Sequence, residues 1–102
     1  MTEQTFKKKL LIPYLLAHGC IVVTTNSRRT KHRATQHQPG VADLIVMNRR
    51  QKYFEIEAKT DKGIAQGSQV KRQLMLNTLG HGRIYLFVRP NDYIQELKEV
   101  VG

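Results

Sequence analysis

The sequence predicts an α/β domain in which a mixed sheet is flanked by helices. Helical spacing or capping residues mark three segments, short apolar runs mark four strands, and the two kinds follow one another along the chain. A length of 102 residues suits one core, so residues 1–102 are expected to form one domain. The predicted order is α-β-β-β-α-β-α, with elements at residues 3–18, 20–25, 41–48, 52–59, 69–79, 83–88 and 91–101.

The first helix is predicted from apolar residues four positions apart, namely Phe6, Leu10 and Tyr14, which Leu11 and Leu15 flank. Thr2 is its expected N-cap. Pro13 is expected to kink or split this helix, because proline lacks the N–H group that a helix interior needs. The strand at Cys20–Thr25 follows from its β-branched residues.

The two later helices are predicted from their end signals and apolar spacing. Ser68 is the expected N-cap of the helix that ends at Gly80. Asn91 is the expected cap of the last helix. The apolar stripe of that last helix comprises Ile94, Leu97 and Val101.

The two central strands are expected to form a hairpin around residues 49–51. If Arg50 is the apex of a three-residue loop, the numbers of opposed residues sum to 100, so Asp43 lies directly opposite Glu57. One face of this hairpin is apolar throughout and predicts the core side: Ala42, Leu44, Val46, Phe54, Ile56 and Ala58. The other face carries Asp43, Glu55, Glu57 and Lys59.

Basic residues dominate the first ninety positions. Seventeen Lys and Arg against eight Asp and Glu give a net charge of +9, and only five of the acids lie in residues 1–90. This charge favours a polyanionic partner, usually nucleic acid, over a merely soluble basic protein. Lys7, Lys8 and Lys9 are interpreted as a solvated helix face, with a phosphate contact as the less favoured alternative. The predicted DNA contacts are Arg28, Arg29, Lys31, Arg33, Lys71 and Arg72.

The carboxylates within this basic region need an explanation, because they repel phosphate. Asp43 and Glu57 would face each other, and like charges so close destabilise a sheet unless a cation joins them. Mg²⁺ or Mn²⁺ binds such oxygen ligands together with water and phosphate oxygens. Lys59 shares their face, and the set suits hydrolysis of a phosphodiester. The alternative is a solvated polar face on which Lys59 only neutralises Glu57.

An ordered set of motifs carries these residues. A helix with Glu3 is followed by PGVAD at 39–43, by EAKT at 57–60 and by a helix that opens at Gln69. This set resembles the PD-(D/E)XK nuclease motif, and more closely the VRR-Nuc family, although Ala42 stands where the motif has proline. The resemblance spans roughly residues 3–88 and implies a restriction-endonuclease-like fold in an isolated nuclease module.

The resemblance also implies a set of metal ligands. Asp43 and Glu57 would bind one or two Mg²⁺ or Mn²⁺ ions, and the backbone carbonyl of Ala58 would complete the shell. Glu3 would hold a metal-bound water or a second ion. Glu55 shares the face of Glu57, but the family motif does not need it.

Two further catalytic residues follow from the same resemblance. Lys59 would orient the attacking water and stabilise the charge of the pentavalent phosphorane, and Gln69 would position Lys59 or the phosphate. Family chemistry leaves a 5′-phosphate and a 3′-hydroxyl. Free-standing modules of this length resemble phage and bacterial enzymes that act as homodimers on four-way DNA junctions.

The leading hypothesis is therefore a metal-dependent, structure-specific DNA endonuclease that resolves Holliday junctions as a homodimer. The alternatives are a decayed, DNA-binding module, a nuclease for flaps or linear DNA, and a plain interaction protein with a basic surface. No small-molecule cofactor is expected besides Mg²⁺ or Mn²⁺. The single cysteine, Cys20, and the lack of a long apolar run predict a cytoplasmic protein, bacterial or in a phage-infected cell, without membrane contact.

Overall fold

A mixed four-stranded sheet lies at the centre of residues 1–25 and 40–102, which are the residues that the computed structural model describes. Its strands lie side by side in chain order: β1 (Ile21–Thr24), β2 (Leu44–Met47), β3 (Tyr53–Ala58) and β4 (Tyr85–Val88). β1, β2 and β3 pair antiparallel, and β4 is parallel to β3. The predicted mixed sheet is confirmed. Four predicted DNA contacts lie outside the described residues: Arg28, Arg29, Lys31 and Arg33.

Helices flank this sheet in the predicted order. They are α1 (Glu3–Phe6), α2 (Ile12–Ala17), α3 (Gly67–Leu79), α4 (Tyr93–Glu96) and α5 (Lys98–Val101). α3 connects β3 to β4, as the crossover between two parallel strands requires. Over residues 1–25 and 40–102, every helix is too short or too polar to traverse a lipid bilayer.

A π-helical turn over Lys7–Leu11 joins α1 to α2. The N–H of Ile12 donates to the carbonyl of Lys7, five residues back, which widens the turn just before Pro13. The expected disturbance at Pro13 takes this form, because the wider turn makes room for a ring that would otherwise clash with a carbonyl. With the extra residue, Phe6 and the flanking Leu11 and Leu15 are fully buried, while Leu10 and Tyr14 pack against the core from its edge.

The predicted last helix is divided in two. Its backbone leaves the helical conformation at Leu97, where φ is −92° and ψ is 7°. Asp92, and not Asn91, precedes the first turn. Tyr93 packs edge-on against the rings of Phe6 and Tyr14, with centroids 5.4 and 5.5 Å away. This packing leaves Ile94 exposed, so the prediction that it belongs to the buried stripe is wrong.

The start of α3 also differs from the prediction. The helix begins at Gly67, so Ser68 lies inside it and is not its N-cap. Gln66 is the N-cap, and its carbonyl accepts the N–H of Val70 at 3.0 Å. The side chain of Gln69 reaches back, and its Oε1 accepts the N–H of Gln66 at 2.9 Å. This glutamine bond replaces the serine cap that the sequence favoured.

The register of the β2–β3 hairpin is confirmed. Leu44 pairs with Ile56, and Met47 pairs with Tyr53, so opposed residue numbers sum to 100 as expected. The predicted apolar face is buried and packs into the core. On the opposite face the charged residues Glu55, Glu57 and Lys59 are not solvated, because each is at most 5% exposed. The charged side chains on the second face of the hairpin are therefore buried inside the fold.

Candidate active site

Three carboxylates from separate parts of the fold meet at one end of the hairpin. Glu3 lies in the first turn of α1, Asp43 immediately precedes β2, and Glu57 lies near the end of β3. One oxygen of each lies within 4.8 Å of an oxygen of the other two. The structure thus brings together the three acidic side chains that the sequence predicted as metal ligands.

Reciprocal hydrogen bonds between the two strands orient two of these carboxylates. The N–H of Asp43 donates to Oε1 of Glu57, and the N–H of Ala58 donates to Oδ2 of Asp43, both at 3.1 Å. The two remaining oxygens face lysines. Nζ of Lys7 lies 3.7 Å from Oδ1 of Asp43, and Nζ of Lys59 lies 3.9 Å from Oε2 of Glu57. In each carboxylate, one oxygen is therefore fixed by a backbone N–H group, and the other lies near the ammonium group of a lysine.

Burial and charge repulsion act on Glu57. Burial raises the pKa of Glu57, the charge of Asp43 raises it further, and the charge of Lys59 lowers it in part, with a net pKa of about 8. A divalent cation between the two carboxylates would remove the repulsion that raises this pKa. Without a cation, two carboxylates this close lower the stability of the fold. Groups whose pKa is shifted in this way cluster at functional sites.

Lys59 lies where the sequence placed it, beside Glu57 and almost fully buried. Its N–H donates to the carbonyl of Val88 at 2.9 Å, so β4 supports the backbone that carries this side chain. Because its side chain is buried, Lys59 can adopt few rotamers. The catalytic role of Lys59 stays a prediction, and the structure places its ammonium group at the cluster that such a role requires.

The segment that leads into Asp43 is contacted by α3, by Tyr85 of β4 and by Thr25, which follows β1. Gly40 has a φ of +84°, and a Cβ there would lie 2.2 Å from the carbonyl oxygen of Ser68 in α3. The hydroxyl of Tyr85 donates to the carbonyl of Gly40 at 2.8 Å. The N–H of Thr25 donates to the carbonyl of Asp43, and its hydroxyl donates to that of Ala42, each at 2.9 Å. Tyr85 and Thr25 were not predicted, because nothing in the local sequence pairs them with this segment.

Glu55, whose role the sequence left open, anchors a helix to the sheet. Its side chain is completely buried, and Nε and Nη2 of Arg72 donate to its two oxygens at 2.7 and 2.6 Å. The hydroxyl of Tyr53 and the N–H of Ala42 also donate to it. Burial alone would raise the pKa of Glu55, but the hydrogen bonds from Arg72, Tyr53 and Ala42 outweigh it and hold the pKa below its usual value. Glu55 thus remains ionised inside the fold.

The position of Arg72 bears on its predicted contact with DNA. Its guanidinium group is bound to Glu55, and its side chain is only 14% exposed. The neighbouring Lys71 is exposed on the same helix. The contact with DNA stays a prediction for both residues, but only Lys71 carries its charge at the surface.

Gln69 is partly buried near the start of α3. Its Oε1 accepts the N–H of Gln66, so the amide oxygen serves the helix cap. Of its polar atoms, the amide nitrogen is the one suited to meet a phosphate oxygen, because it is a donor. The predicted role of Gln69 toward Lys59 or the phosphate stays a prediction.

Lys7 also lies at this cluster, where the sequence analysis did not place it. It was interpreted with Lys8 and Lys9 as a solvated face, yet it is half-buried against Asp43 while the other two are exposed. A signal was present, because Lys7 follows Glu3 by four residues and so lies on the same helix face. Assigning Glu3 to the site therefore implied Lys7 as well.

The donor set fits a small, hard divalent cation. Three carboxylates within 4.8 Å offer oxygen ligands only, and Mg²⁺ or Mn²⁺ is bound by one or two carboxylates together with water and phosphate oxygens. Asp43 and Glu57 stay the predicted ligands of such an ion, and Glu3 lies at the third corner of the cluster. The carbonyl of Ala58 stays a predicted ligand.

Comparison with known proteins supports the fold. No protein-family model matches the chain, and no curated protein matches its sequence. A solved structure described as a VRR_NUC domain superposes with a TM-score of 0.68 at 17% sequence identity, and the match covers 97% of both chains. The fold that the sequence resemblance implied is thus confirmed over nearly the whole chain. This protein has the fold of a VRR-Nuc domain.

Proposed function

We propose that this protein is a metal-dependent nuclease that hydrolyses phosphodiester bonds in DNA. One observation carries the proposal: Glu3, Asp43 and Glu57 converge within 4.8 Å beside the ammonium group of Lys59, in a chain of net charge +9. A nuclease needs both features, because its carboxylates bind a divalent cation and its basic surface attracts the phosphates of DNA. A cluster that only stabilises the fold needs neither. The VRR-Nuc fold supports the same conclusion.

The proposed reaction is hydrolysis. Bound at the carboxylates, Mg²⁺ or Mn²⁺ would supply Lewis-acid activation and charge neutralisation at the scissile phosphate. Water adds its oxygen to phosphorus, the bond from phosphorus to the 3′-oxygen breaks, and the 3′-oxygen takes up a proton. The products are a 5′-phosphate and a 3′-hydroxyl.

The chain's own residues divide the work. Asp43 and Glu57 hold their geometry through the reciprocal backbone bonds, so little reorganisation is needed during the reaction. Lys59 orients the attacking water and stabilises the charge that develops on the phosphate. Its burial keeps bulk water from screening that charge.

The proposed substrate is branched DNA, and four-way junctions in particular, cut by a homodimer. The argument is one of symmetry, since two sites related by a two-fold axis match the paired nicks that resolve a junction. Lys71, exposed on α3, is a proposed backbone contact. Contacts of this kind position the substrate without reading its sequence.

Cleavage of matched substrates tests both levels of the proposal. A four-way junction, a flap and a linear duplex of equal length are incubated with the protein in Mg²⁺, in Mn²⁺ and in EDTA. We expect cleavage only with metal, and the junction at least about tenfold faster than the duplex. Asp43→Asn should bind the junction with wild-type affinity and cut nothing.

The outcomes separate the alternatives. Equal rates on all three substrates remove the preference for junctions and leave a general nuclease. Binding without cleavage in either metal indicates a DNA-binding module. A cruciform plasmid distinguishes the dimer from the monomer, because paired nicks linearise it directly, whereas independent nicks first accumulate open circles.

A further inference from the structure

Lys7 occupies a position at the candidate active site that the proposed reaction does not yet use. Its ammonium nitrogen lies 3.7 Å from Oδ1 of Asp43, and its side chain is 18% exposed. This separation exceeds that of a good hydrogen bond, which is below about 3.2 Å. The contact is therefore a loose ion pair, and Lys7 is not locked in place by it.

The charges around the cluster leave a role open for this lysine. The cluster comprises the carboxylates of Glu3, Asp43 and Glu57, and two lysines bring positive charge to it, Lys7 beside Asp43 and Lys59 beside Glu57. With a divalent cation at Asp43, Lys7 would lose this partner. Its ammonium group would then be repelled by the cation and attracted by a phosphate at the site.

The local backbone explains why Lys7 can lie here. The π-helical turn begins at Lys7, whose carbonyl accepts the N–H of Ile12. The inserted residue lets Phe6 and Leu11 both reach the core, while Lys7 shares a face with Glu3 toward the carboxylates. Such turns are frequent at functional sites.

We propose that Lys7 is a second substrate-contacting cation of the nuclease, balancing Asp43 in the metal-free protein and moving to a non-bridging oxygen of the scissile phosphate when the ion is bound. This inference rests on the proposed function. Lys59 and Lys7 would then both contact the phosphate. The contact is electrostatic and transfers no proton.

The test compares Lys7→Gln and Lys7→Arg with Lys8→Gln, an exposed neighbour that controls for the loss of one positive charge. Two quantities are measured: the affinity for Mn²⁺ in the absence of DNA, by calorimetry, and the single-turnover cleavage rate at saturating Mg²⁺. Thermal unfolding of each variant in EDTA verifies that it is folded.

For Lys7→Gln we expect Mn²⁺ to bind about three- to tenfold more tightly, because a cation that repels the ion is gone. Its cleavage rate should fall by about 10²-fold, the usual loss when one charge-stabilising donor is removed. Lys7→Arg should recover a large part of the rate, since it retains the charge. Lys8→Gln should match the wild type in both measurements.

Two results would overturn the inference. If Lys7→Gln binds Mn²⁺ more tightly but cleaves at the wild-type rate, Lys7 only neutralises Asp43. If its affinity for Mn²⁺ is unchanged or weaker, Lys7 does not balance Asp43 in the metal-free protein and the inference fails, and this holds even where the wild-type protein cuts no DNA. That failure of the wild type would refute the proposed function separately. If Lys7→Gln does not fold, the result for Lys7→Arg decides. A Lys7→Arg variant that binds Mn²⁺ with wild-type affinity but cleaves at less than one tenth of the rate of Lys8→Gln would contradict a purely electrostatic contact.

Discussion

Replacing Glu57 with glutamine is expected to abolish metal-dependent cleavage and, at the same time, to stabilise the metal-free protein. The carboxylate is 5% exposed and close to that of Asp43, and these two causes raise its pKa to about 8. A raised pKa means that the fold disfavours the ionised form of Glu57. At neutral pH, which lies above the usual pKa of 4.5, the unfolded chain carries the ionised form freely, so this side chain lowers the stability of the fold. The glutamine oxygen can still accept the N–H of Asp43.

The expected gain is about 1 kcal/mol in the free energy of unfolding, or roughly 4–8 °C in the melting temperature of a chain this size. The cleavage rate should fall by at least about 10²–10³-fold, because an ion ligand is lost. Calorimetric melting in EDTA and single-turnover cleavage in Mg²⁺ measure the two effects. Glu99→Gln neutralises an exposed carboxylate away from the site and should change neither. A Glu57→Gln variant that melts lower than the wild type, or that still cleaves, would contradict the assignment.

Removing Arg72 is expected to produce the largest loss of stability. Arg72→Leu leaves the fully buried carboxylate of Glu55 without its cation, and breaking a buried pair in this way costs about 3–5 kcal/mol. Domains of this size have a total stability of only about 5–15 kcal/mol. Urea unfolding followed by circular dichroism should therefore show a transition at much lower denaturant. The cause is the uncompensated charge and not the lost side chain alone.

Two companion variants identify that cause. Adding Glu55→Gln to Arg72→Leu removes the buried charge while keeping an acceptor for Tyr53 and Ala42, so much of the stability should return. Lys71→Leu changes an exposed cation on the same helix and should shift unfolding by less than about 0.5 kcal/mol. If Arg72→Leu unfolds like the wild type but binds DNA more weakly, Arg72 contacts DNA as the sequence predicted, and its structural role is refuted.

The register of the hairpin could be predicted because side chains alternate between two faces with a period of two. A slip of one residue would have placed Asp43 in the core, so the apolar residues on one face determined which residues the other face holds. The opposition of Asp43 and Glu57 followed from this counting alone. The pairing of Leu44 with Ile56 in the structure confirms it.

Contacts between distant elements could not be predicted in the same way. The ion pair of Glu55 with Arg72 depends on how α3 packs on the sheet, which no local pattern specifies. The π-helical turn before Pro13 is a compromise between proline sterics and core packing, so it appears only once the core is assembled. Ser68 has the right side chain for a cap, but α3 begins at Gly67, two residues earlier than predicted, and Gln66 and Gln69 bond at its start.

The proposed metal site is tested most directly by a crystal structure of the protein grown with Mn²⁺ and recorded at a wavelength where manganese scatters anomalously. We expect an anomalous peak roughly 2.1 Å from oxygens of Asp43 and Glu57, with Glu3 on the same side of the ion. The peak should vanish in Glu57→Gln crystals grown under the same conditions. Manganese bound elsewhere, or no peak between these carboxylates, would contradict the assignment of this cluster as the metal centre.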